Sequence, residues 1–338
     1  MADMAEVDQV IHQRLSSRIA LVNQISHYIV QAGGKRVRPM LLLLVARALG
    51  HDTAERHELA AVVEFIHTAT LLHDDVVDES DLRRGRKTAN AMFGNAASVL
   101  VGDFLYSRAF QMMVSTNRLR VMEVLAEATN VIAEGEVLQL MNMHDPDISV
   151  DDYLRVIEYK TAKLFEASAR LGAVICEASP EVEEACAGYG RTVGTAFQLI
   201  DDLLDYEGST AELGKNIGDD LREGKPTLPL LVAMQRGTPA QRDMIRHAIE
   251  HGGEVFAGAR FEHDGKHAAR AGEIALEQGV VGMAGEGRVV DLLHARLLLE
   301  PGGEIERMGA VLAHAQGEGA QAAGGQEDVV GRSTDAEC

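Results

Sequence analysis

The sequence predicts an all-α protein, and three observations carry that prediction. Apolar residues recur at i, i+3, i+4 and i+7 in long stretches such as "AAVVEFIHTATLL" (60–72) and "VMEVLAEATNVIAEGEVLQLM" (121–141). Aromatic residues make up only 4% of the chain, Trp is absent and Pro counts 7, a composition dominated by good helix formers. No run alternates apolar and polar residues for long enough to make a convincing strand. With 46% hydrophobic residues among 338, the chain can bury a sizeable core.

Taken in order, the elements run from about Val7 to His251 as successive amphipathic helices. The breaks between them are short and chemically legible: "AGGKRVRP", "DLRRGRKTA", "HDPDIS" and "GSTAELGKNIGDDLREGKPTLP". Pro39 suits the first position of a helix, where its missing N–H costs nothing. Asp147 or Ser149 suits the cap of a helix beginning near Val150. Residues 1–250 therefore form the helical domain. The composition then changes: residues 251–338 hold 17 of the 33 glycines, a single lysine, Lys266, and no tyrosine. This Gly-rich region is expected to be partly disordered.

Charge and cysteine usage narrow the function classes. The net charge of −20 argues against nucleic-acid binding, which needs a basic face. It does not exclude phosphate ligands, because a local basic pocket or a bound metal outweighs the global sign. Cys176, Cys186 and Cys338 have no metal-binding spacing and suit a reducing compartment. No signal peptide is visible, and the apolar run "MLLLLVA" (40–46) falls far short of the ~20 residues that span a bilayer. A cytoplasmic protein is expected, with transient membrane contact left open.

The chemistry concentrates in two acidic motifs. "LLHDDVVDESDLRRG" contains Asp74, Asp75 and Asp78 in the pattern D-D-x-x-D. On a helix, i and i+4 share a face and i+1 stands beside them, so the three carboxylates are expected to converge. Bare, they raise one another's pKa values; a hard cation relieves that repulsion. Mg²⁺ fits, because it takes oxygen ligands and bridges carboxylates to phosphates. "FQLIDDLLDY" repeats the arrangement at Asp201, Asp202 and Asp205, with Gln198 one turn earlier. An isolated motif of this kind is more often a solvated helix end. Two of them inside apolar helices instead suggest facing clusters that hold Mg²⁺ around a diphosphate.

Fixed positive charge completes such a site. Lys35, Arg36 and Arg38 lie in "GGKRVRP". Arg83, Arg84, Arg86 and Lys87 lie in "DLRRGRK". Lys160, Thr161 and Lys163 lie in "EYKTAKLF", and Lys215 and Lys225 lie in "LGKNIGDDLREGKPTLP". Arg makes bidentate phosphate contacts and Lys acts as a point charge. Neither glycine–lysine stretch has the G-x-x-x-x-G-K-[ST] frame of a P-loop, so nucleotide hydrolysis is not indicated.

Together, "GGKRVRP", "FIHTATLLHDD", "YKTA", "GTAFQLIDD" and "GKNIGDDLREGKPTLPLL" closely resemble the trans-prenyltransferases, the all-α polyprenyl diphosphate synthases, over roughly residues 10–250. The resemblance implies a single-domain bundle of antiparallel helices around a large central cavity, the isoprenoid synthase fold. It implies isopentenyl diphosphate bound by Lys35, Arg38, His67 and Arg84. It implies an allylic diphosphate bound by Arg83, Lys160, Thr161, Gln198, Lys215 and Lys225. Two to three Mg²⁺ ions would be held by Asp74, Asp75, Asp78, Asp201, Asp202 and Asp205. Catalysis would fall to Asp74, Asp75, Asp78, Asp201, Asp202 and Lys160, and the family suggests a homodimer. The Gly-rich region after about residue 250 departs from the family's helical, basic ending.

The resemblance also speaks to product length. In the family, aromatic residues four and five positions before the first aspartate close the tunnel for the growing tail. Here those positions are Thr70 and Ala69, both small, which points to a long all-trans product (roughly C35–C50) of the kind used in quinone side chains. Close helix packing also explains two small residues there, and Phe104, Phe110, Met112 or Met113 could set the tunnel floor instead. The alternatives are a shorter-chain farnesyl or geranylgeranyl synthase, a terpene cyclase or head-to-head synthase, and a non-catalytic subunit of a heteromeric synthase. Lys35, Arg38 and His67 favour elongation, and two complete acidic motifs favour a catalytic chain.

Overall fold

A computed structural model of the chain describes residues 2–207 and 218–257. Helix α1 spans Ala2–Arg14, α2 Ala20–Gln31, α3 Val37–Ala48 and α4 Glu55–Val77. A small hairpin, β1 (Leu82–Arg83) and β2 (Arg86–Lys87), precedes α5 (Ala89–Phe93), α6 (Asn95–Ser115) and α7 (Leu119–Asn142). Then come α8 (Val150–Ile157), a π turn (Glu158–Ala162), α9 (Lys163–Val174), α10 (Pro180–Glu207), α11 (Asp219–Arg222), α12 (Leu228–Arg236) and α13 (Pro239–Ala257).

The periodicity in the sequence becomes one dominant core. Leu59, Val62, Phe65, Ile66, Ala69 and Leu72 of α4 are fully buried. They join Leu42 of α3, Leu105 and Met113 of α6, Leu125 of α7 and Leu171 of α9 in a single apolar cluster. Each large side chain enclosed in this way is worth about 1.5–3 kcal/mol. Helix α4 therefore runs through the centre of the molecule, with its C-terminal acidic end at the rim of the core. A second cluster, including Tyr153, Leu199, Tyr206, Leu221, Leu230 and Ile249, ties α8 and α10 to α11–α13.

The sequence expectations meet four refinements. The hairpin is a strand pair that the periodicity did not reveal, since two residues per strand cannot display alternation. Its signal is the turn Arg84-Gly85, both at positive φ (54° and 72°), the two-residue geometry that matches the twist of a hairpin. Pro39 stands at the third residue of α3 rather than the first, still within the turn whose N–H groups have no helical partner. Ser149 caps α8, its hydroxyl accepting the Asp152 N–H at 3.0 Å. Helix α13 crosses residue 250 and continues to Ala257; the remainder of the Gly-rich region lies outside the described residues.

One glycine positions the site directly. The π turn inserts an extra residue between α8 and α9 and carries Lys160 and Thr161. Such π bulges recur at functional sites. It packs on α7 at Gly135, where an added Cβ would lie 2.6 Å from the Lys160 backbone nitrogen and 2.8 Å from Tyr159 Cβ. Gly135→Ala is therefore expected to lower stability by about 1–3 kcal/mol, the range for overpacking, through displacement of the π turn. Denaturant unfolding measures this; an unchanged midpoint would show that the turn tolerates the methyl group.

Candidate active site

The C-terminal end of α4 and the second half of α10 face each other across a cavity of about 230 Å³. Its lining includes Asp74 and Asp78 from α4, Arg83 from the hairpin, Lys160 and Thr161 from the π turn, and Gln198, Asp201 and Asp202 from α10. Lys225 and Asp220 enter from the segment around α11. Its volume suits a phosphorylated head group rather than a long hydrocarbon tail.

The two acidic motifs present their members differently. Asp74 and Asp78, one turn apart, both line the cavity. Asp75 is rotated about 100° away. It is fully buried, and its Oδ1 accepts Arg83 Nε at 2.8 Å and Nη2 at 2.7 Å. Its Oδ2 is buried without a hydrogen-bond partner. The three carboxylates thus do not converge as their spacing alone suggests, because the i+1 residue faces the hairpin. In the second motif, Asp201 and Asp202 line the cavity, whereas Asp205 is fully buried outside the lining. Asp205 Oδ2 accepts the Asp220 N–H at 3.2 Å and its carbonyl accepts the Gly218 N–H at 2.9 Å. Asp205 thereby fixes the start of α11.

The hydrogen bonds around Asp202 form a chain. Thr161 Oγ1 donates to Gln198 Oε1 at 2.8 Å, and Gln198 Nε2 donates to Asp202 Oδ1 at 2.7 Å. Tyr153 donates its phenol hydrogen to Asp202 Oδ2 at 2.5 Å. Both Asp202 oxygens are therefore oriented before any ligand arrives. Lys160 Nζ contacts Glu136 of α7 at 2.5 Å, and Lys225 bridges Asp78 at 3.0 Å and Glu223 at 2.6 Å. Lys215 falls outside the described residues.

The hairpin separates its two arginines. Arg83 turns to the aspartates, whereas the Arg84 guanidinium nitrogens come within 3.1 Å of the position a Cβ on Gly34 would occupy. Beside Gly34, the Lys35 ammonium stands 4.9 Å from the centre of the Phe197 ring. Arg38 stacks 4.3 Å from the Phe165 ring and lies 3.3 Å from His67 Nε2. Burial, reinforced by Arg38, Arg84, Arg83 and Arg36, holds His67 well below the usual imidazole range. His67 is thus neutral, and its Nε2 accepts from Arg38. The predicted isopentenyl residues consequently form one basic patch, separate from the aspartate cavity but bridged to it by the Arg83–Arg84 pair. Arg36, by contrast, is committed to an ion pair with buried Glu64.

Electrostatics gives the acids an unusual character. Burial, then the neighbouring Asp220 charge, pushes the Asp202 carboxyl up to about 7, against the lowering effect of Tyr153 and Gln198. Burial and Asp74 raise Glu136 to about 7 despite Lys160, and burial raises Asp74 too. Burial alone would pull Lys225 down, but Asp78, Glu223 and Asp220 outweigh it and keep the ammonium charged. Oxygen-only donors whose ionised forms are disfavoured when bare match a hard divalent cation, which favours ionised carboxylates. The residues present therefore fit Mg²⁺.

These shifts set a pH dependence. Asp202 and Glu136 hold protons more tightly in the folded chain than at their ordinary values of 3.8 and 4.5. Their contribution to metal-free stability is present at low pH and falls as pH rises from about 4 to about 7. Of these two, Asp202 lines the cavity, where protons would compete with Mg²⁺ for its carboxylate. The Mg²⁺-induced rise in Tm should therefore be larger at about pH 8 than at about pH 5.5. Thermal melts with EDTA and with Mg²⁺ test this; a pH-independent Mg²⁺ shift would contradict it.

Three lining or supporting groups escaped the sequence reading. Asp220 had a signal, since "GDDLREGK" contains an adjacent acid pair. Tyr153 lies seven residues before Lys160 and hence near the same face, a weak cue. Glu136 had none beyond being an acid in an apolar helix.

A profile of the polyprenyl synthetase family matches residues 19–256. The chain belongs to the polyprenyl synthetase family. It is 62% identical over 250 residues to the octaprenyl diphosphate synthase of Escherichia coli (strain K12), an alignment covering 74% of this chain and 77% of that protein. It is 51% identical over 253 residues to the all-trans-nonaprenyl-diphosphate synthase (geranyl-diphosphate specific) of Rhodobacter capsulatus, covering 74% and 77%. Among solved structures, a polyprenyl synthase from Caulobacter crescentus CB15, complexed with calcium and isoprenyl diphosphate, superposes with TM-score 0.79 at 44% identity. That match covers 92% of this chain and 93% of the other. A decaprenyl diphosphate synthase from Rhodobacter capsulatus superposes with TM-score 0.77 at 42% identity, covering 94% and 96%. The fold is accordingly that of the polyprenyl synthases, and the protein is a prenyltransferase acting on isoprenoid diphosphates. Among the described residues, no helix is long and apolar enough to cross a membrane.

Proposed function

We propose that the chain elongates an allylic diphosphate with isopentenyl diphosphate to give a long all-trans polyprenyl diphosphate, roughly C35–C50, used as a quinone side chain. The observation that carries the proposal is the juxtaposition of two anion sites. One is the aspartate cavity with Arg83, Lys160 and Lys225; the other is the patch of Lys35, Arg38, His67 and Arg84. A terpene cyclase needs only the first, so the second favours elongation. The octaprenyl and nonaprenyl relatives support the product class.

Asp74, Asp78, Asp201, Asp202 and Asp220 would hold two to three Mg²⁺ ions, and the Caulobacter relative's complex with calcium supports the use of a divalent cation. When bound, Mg²⁺ neutralises charge on the diphosphate leaving group. Arg83, Lys160 and Lys225 bind the allylic diphosphate from the other sides and stabilise it as the C–O bond breaks and the bonding electrons pass to it. Thr161 and Gln198 keep Asp202 oriented. Lys35, Arg38, His67 and Arg84 hold isopentenyl diphosphate so that its double bond attacks the allylic cation. A C–C bond forms, and the proton lost afterwards passes to the departed diphosphate. The apolar walls of α4 and α7 exclude water from the cation.

Exposed apolar side chains on α6 and α7, including Leu100 (67% exposed) and Met141 (74% exposed), support a homodimer formed by a second copy at this face. Free Cys176 and buried Cys186 suit a reducing cytoplasm. Incubation with MgCl₂, farnesyl diphosphate and labelled isopentenyl diphosphate, followed by product sizing, tests the function. Label in long polyprenyl products is expected. No incorporation would leave the chain as a non-catalytic subunit.

A further inference from the structure

Helix α13 carries a second group of metal-type ligands, far different in chemistry from the aspartate cavity. "RHAIEH" places His247, Glu250 and His251 at i, i+3 and i+4, one face of one helical turn. Between them, Ala248 and Ile249 are buried in the second core cluster, which fixes the rotation of the helix and leaves the three ligands facing outward. One potential ligand atom from each of the three lies within 4.8 Å of the other two. The two imidazole rings are 4.1 Å apart.

A second observation fixes which atom His251 offers. Its Nδ1 lies 2.9 Å from the His247 carbonyl oxygen, so Nδ1–H donates to that carbonyl and Nε2 keeps its lone pair. A hydrogen bond from the other ring nitrogen is the usual means of orienting a metal-binding histidine. Glu250 is not consumed by its neighbour: Arg246 approaches it only to 3.8 Å, while both Arg246 η nitrogens bond to Asp147, Nη2 at 2.8 Å.

We propose that His247, Glu250 and His251 bind one borderline divalent transition metal, such as Zn²⁺, Ni²⁺ or Cu²⁺, with water completing the coordination. Two imidazoles and one carboxylate favour these ions, whereas Mg²⁺ prefers oxygen donors. The ligand atoms must draw together to metal–nitrogen distances of ~2.0–2.1 Å, which side-chain rotation on an exposed turn permits. All three ligands precede Gly252, where the helix kinks at φ 44° and ψ −129°. The bound ion thus clamps the last turn before the kink and stabilises the folded chain by linkage.

The test uses the untagged full-length chain, stripped of metal and titrated with NiCl₂ or ZnCl₂ by calorimetry in saturating MgCl₂. His247→Gln and His251→Gln are each expected to lose one equivalent relative to the parent chain and to lose the corresponding rise in Tm. Both retain prenyltransferase activity with Mg²⁺ alone, which reports that they are folded. Cu²⁺ loaded at one equivalent should show electron paramagnetic coupling to two nitrogens in the parent chain, a pattern lost in either variant. Equal stoichiometry in parent and variants, or an unchanged nitrogen coupling pattern, would overturn the proposal.

Discussion

Asp74→Asn lowers kcat/KM by about 10²–10³-fold, the typical cost of losing one preorganised electrostatic group from a charge-developing transition state. Asp74 lines the cavity and its burial already disfavours ionisation. The neutral amide therefore removes a proposed cation ligand without adding strain, and the metal-free fold should gain stability rather than lose it. Steady-state kinetics at several Mg²⁺ concentrations check the claim. The variant should require more Mg²⁺ for half-maximal rate and remain slow at saturation. A variant with parental kcat/KM at parental Mg²⁺ demand would remove Asp74 from the site. Asp75→Asn should act differently, because Asp75 is buried under Arg83 and outside the cavity lining. Its loss frees Arg83 and leaves that guanidinium half-buried without its partner, so stability falls together with activity.

Ala69→Phe shortens the product. Ala69 is fully buried in the main core, and Thr70, one residue on, is half-buried with its hydroxyl donating to the His67 carbonyl at 2.9 Å. A phenyl ring at 69 projects into the helix bundle, where a tail growing along α4 would have to pass. It also overpacks, costing about 1–3 kcal/mol. The two effects separate cleanly: mass spectrometry of the products reads tail length, and a thermal melt reads packing. A shift to products several isoprene units shorter is expected. A destabilised variant that still makes the parental product would show that the tail does not pass Ala69. In that case Met112 and Met113, both nearly fully buried on α6, are the next positions to enlarge.

Much of the candidate site was legible because its residue types are costly elsewhere. An acidic pair inside "FIHTATLLHDDVV" or "FQLIDDLLDY" sits where a soluble helix would place Leu or Ala, so the sequence itself marks Asp74, Asp78, Asp201 and Asp202. Lys160 and Thr161 were marked less strongly, and the π turn that aims them is invisible in a 3.6-residue pattern. Glu136 reaches Lys160 only because Gly135 lets the π turn approach α7. Tyr153 reaches Asp202 across 49 positions of sequence. Local periodicity carries no information about such pairs.

Side-chain pattern along the chain was enough to show that the protein is helical, where its helices break, and which charged residues are candidates for the site. Those properties follow from side-chain spacing and chemistry along a single element. How each motif divides its work depends instead on contacts between elements. The second aspartate of the first motif is turned into Arg83, the third of the second motif braces α11, and a two-residue turn sends Arg83 to Asp75 and the adjacent Arg84 towards Gly34. The reason is geometric. A helix advances about 100° per residue, so neighbours in sequence face different partners, and those partners come from elements distant in the chain.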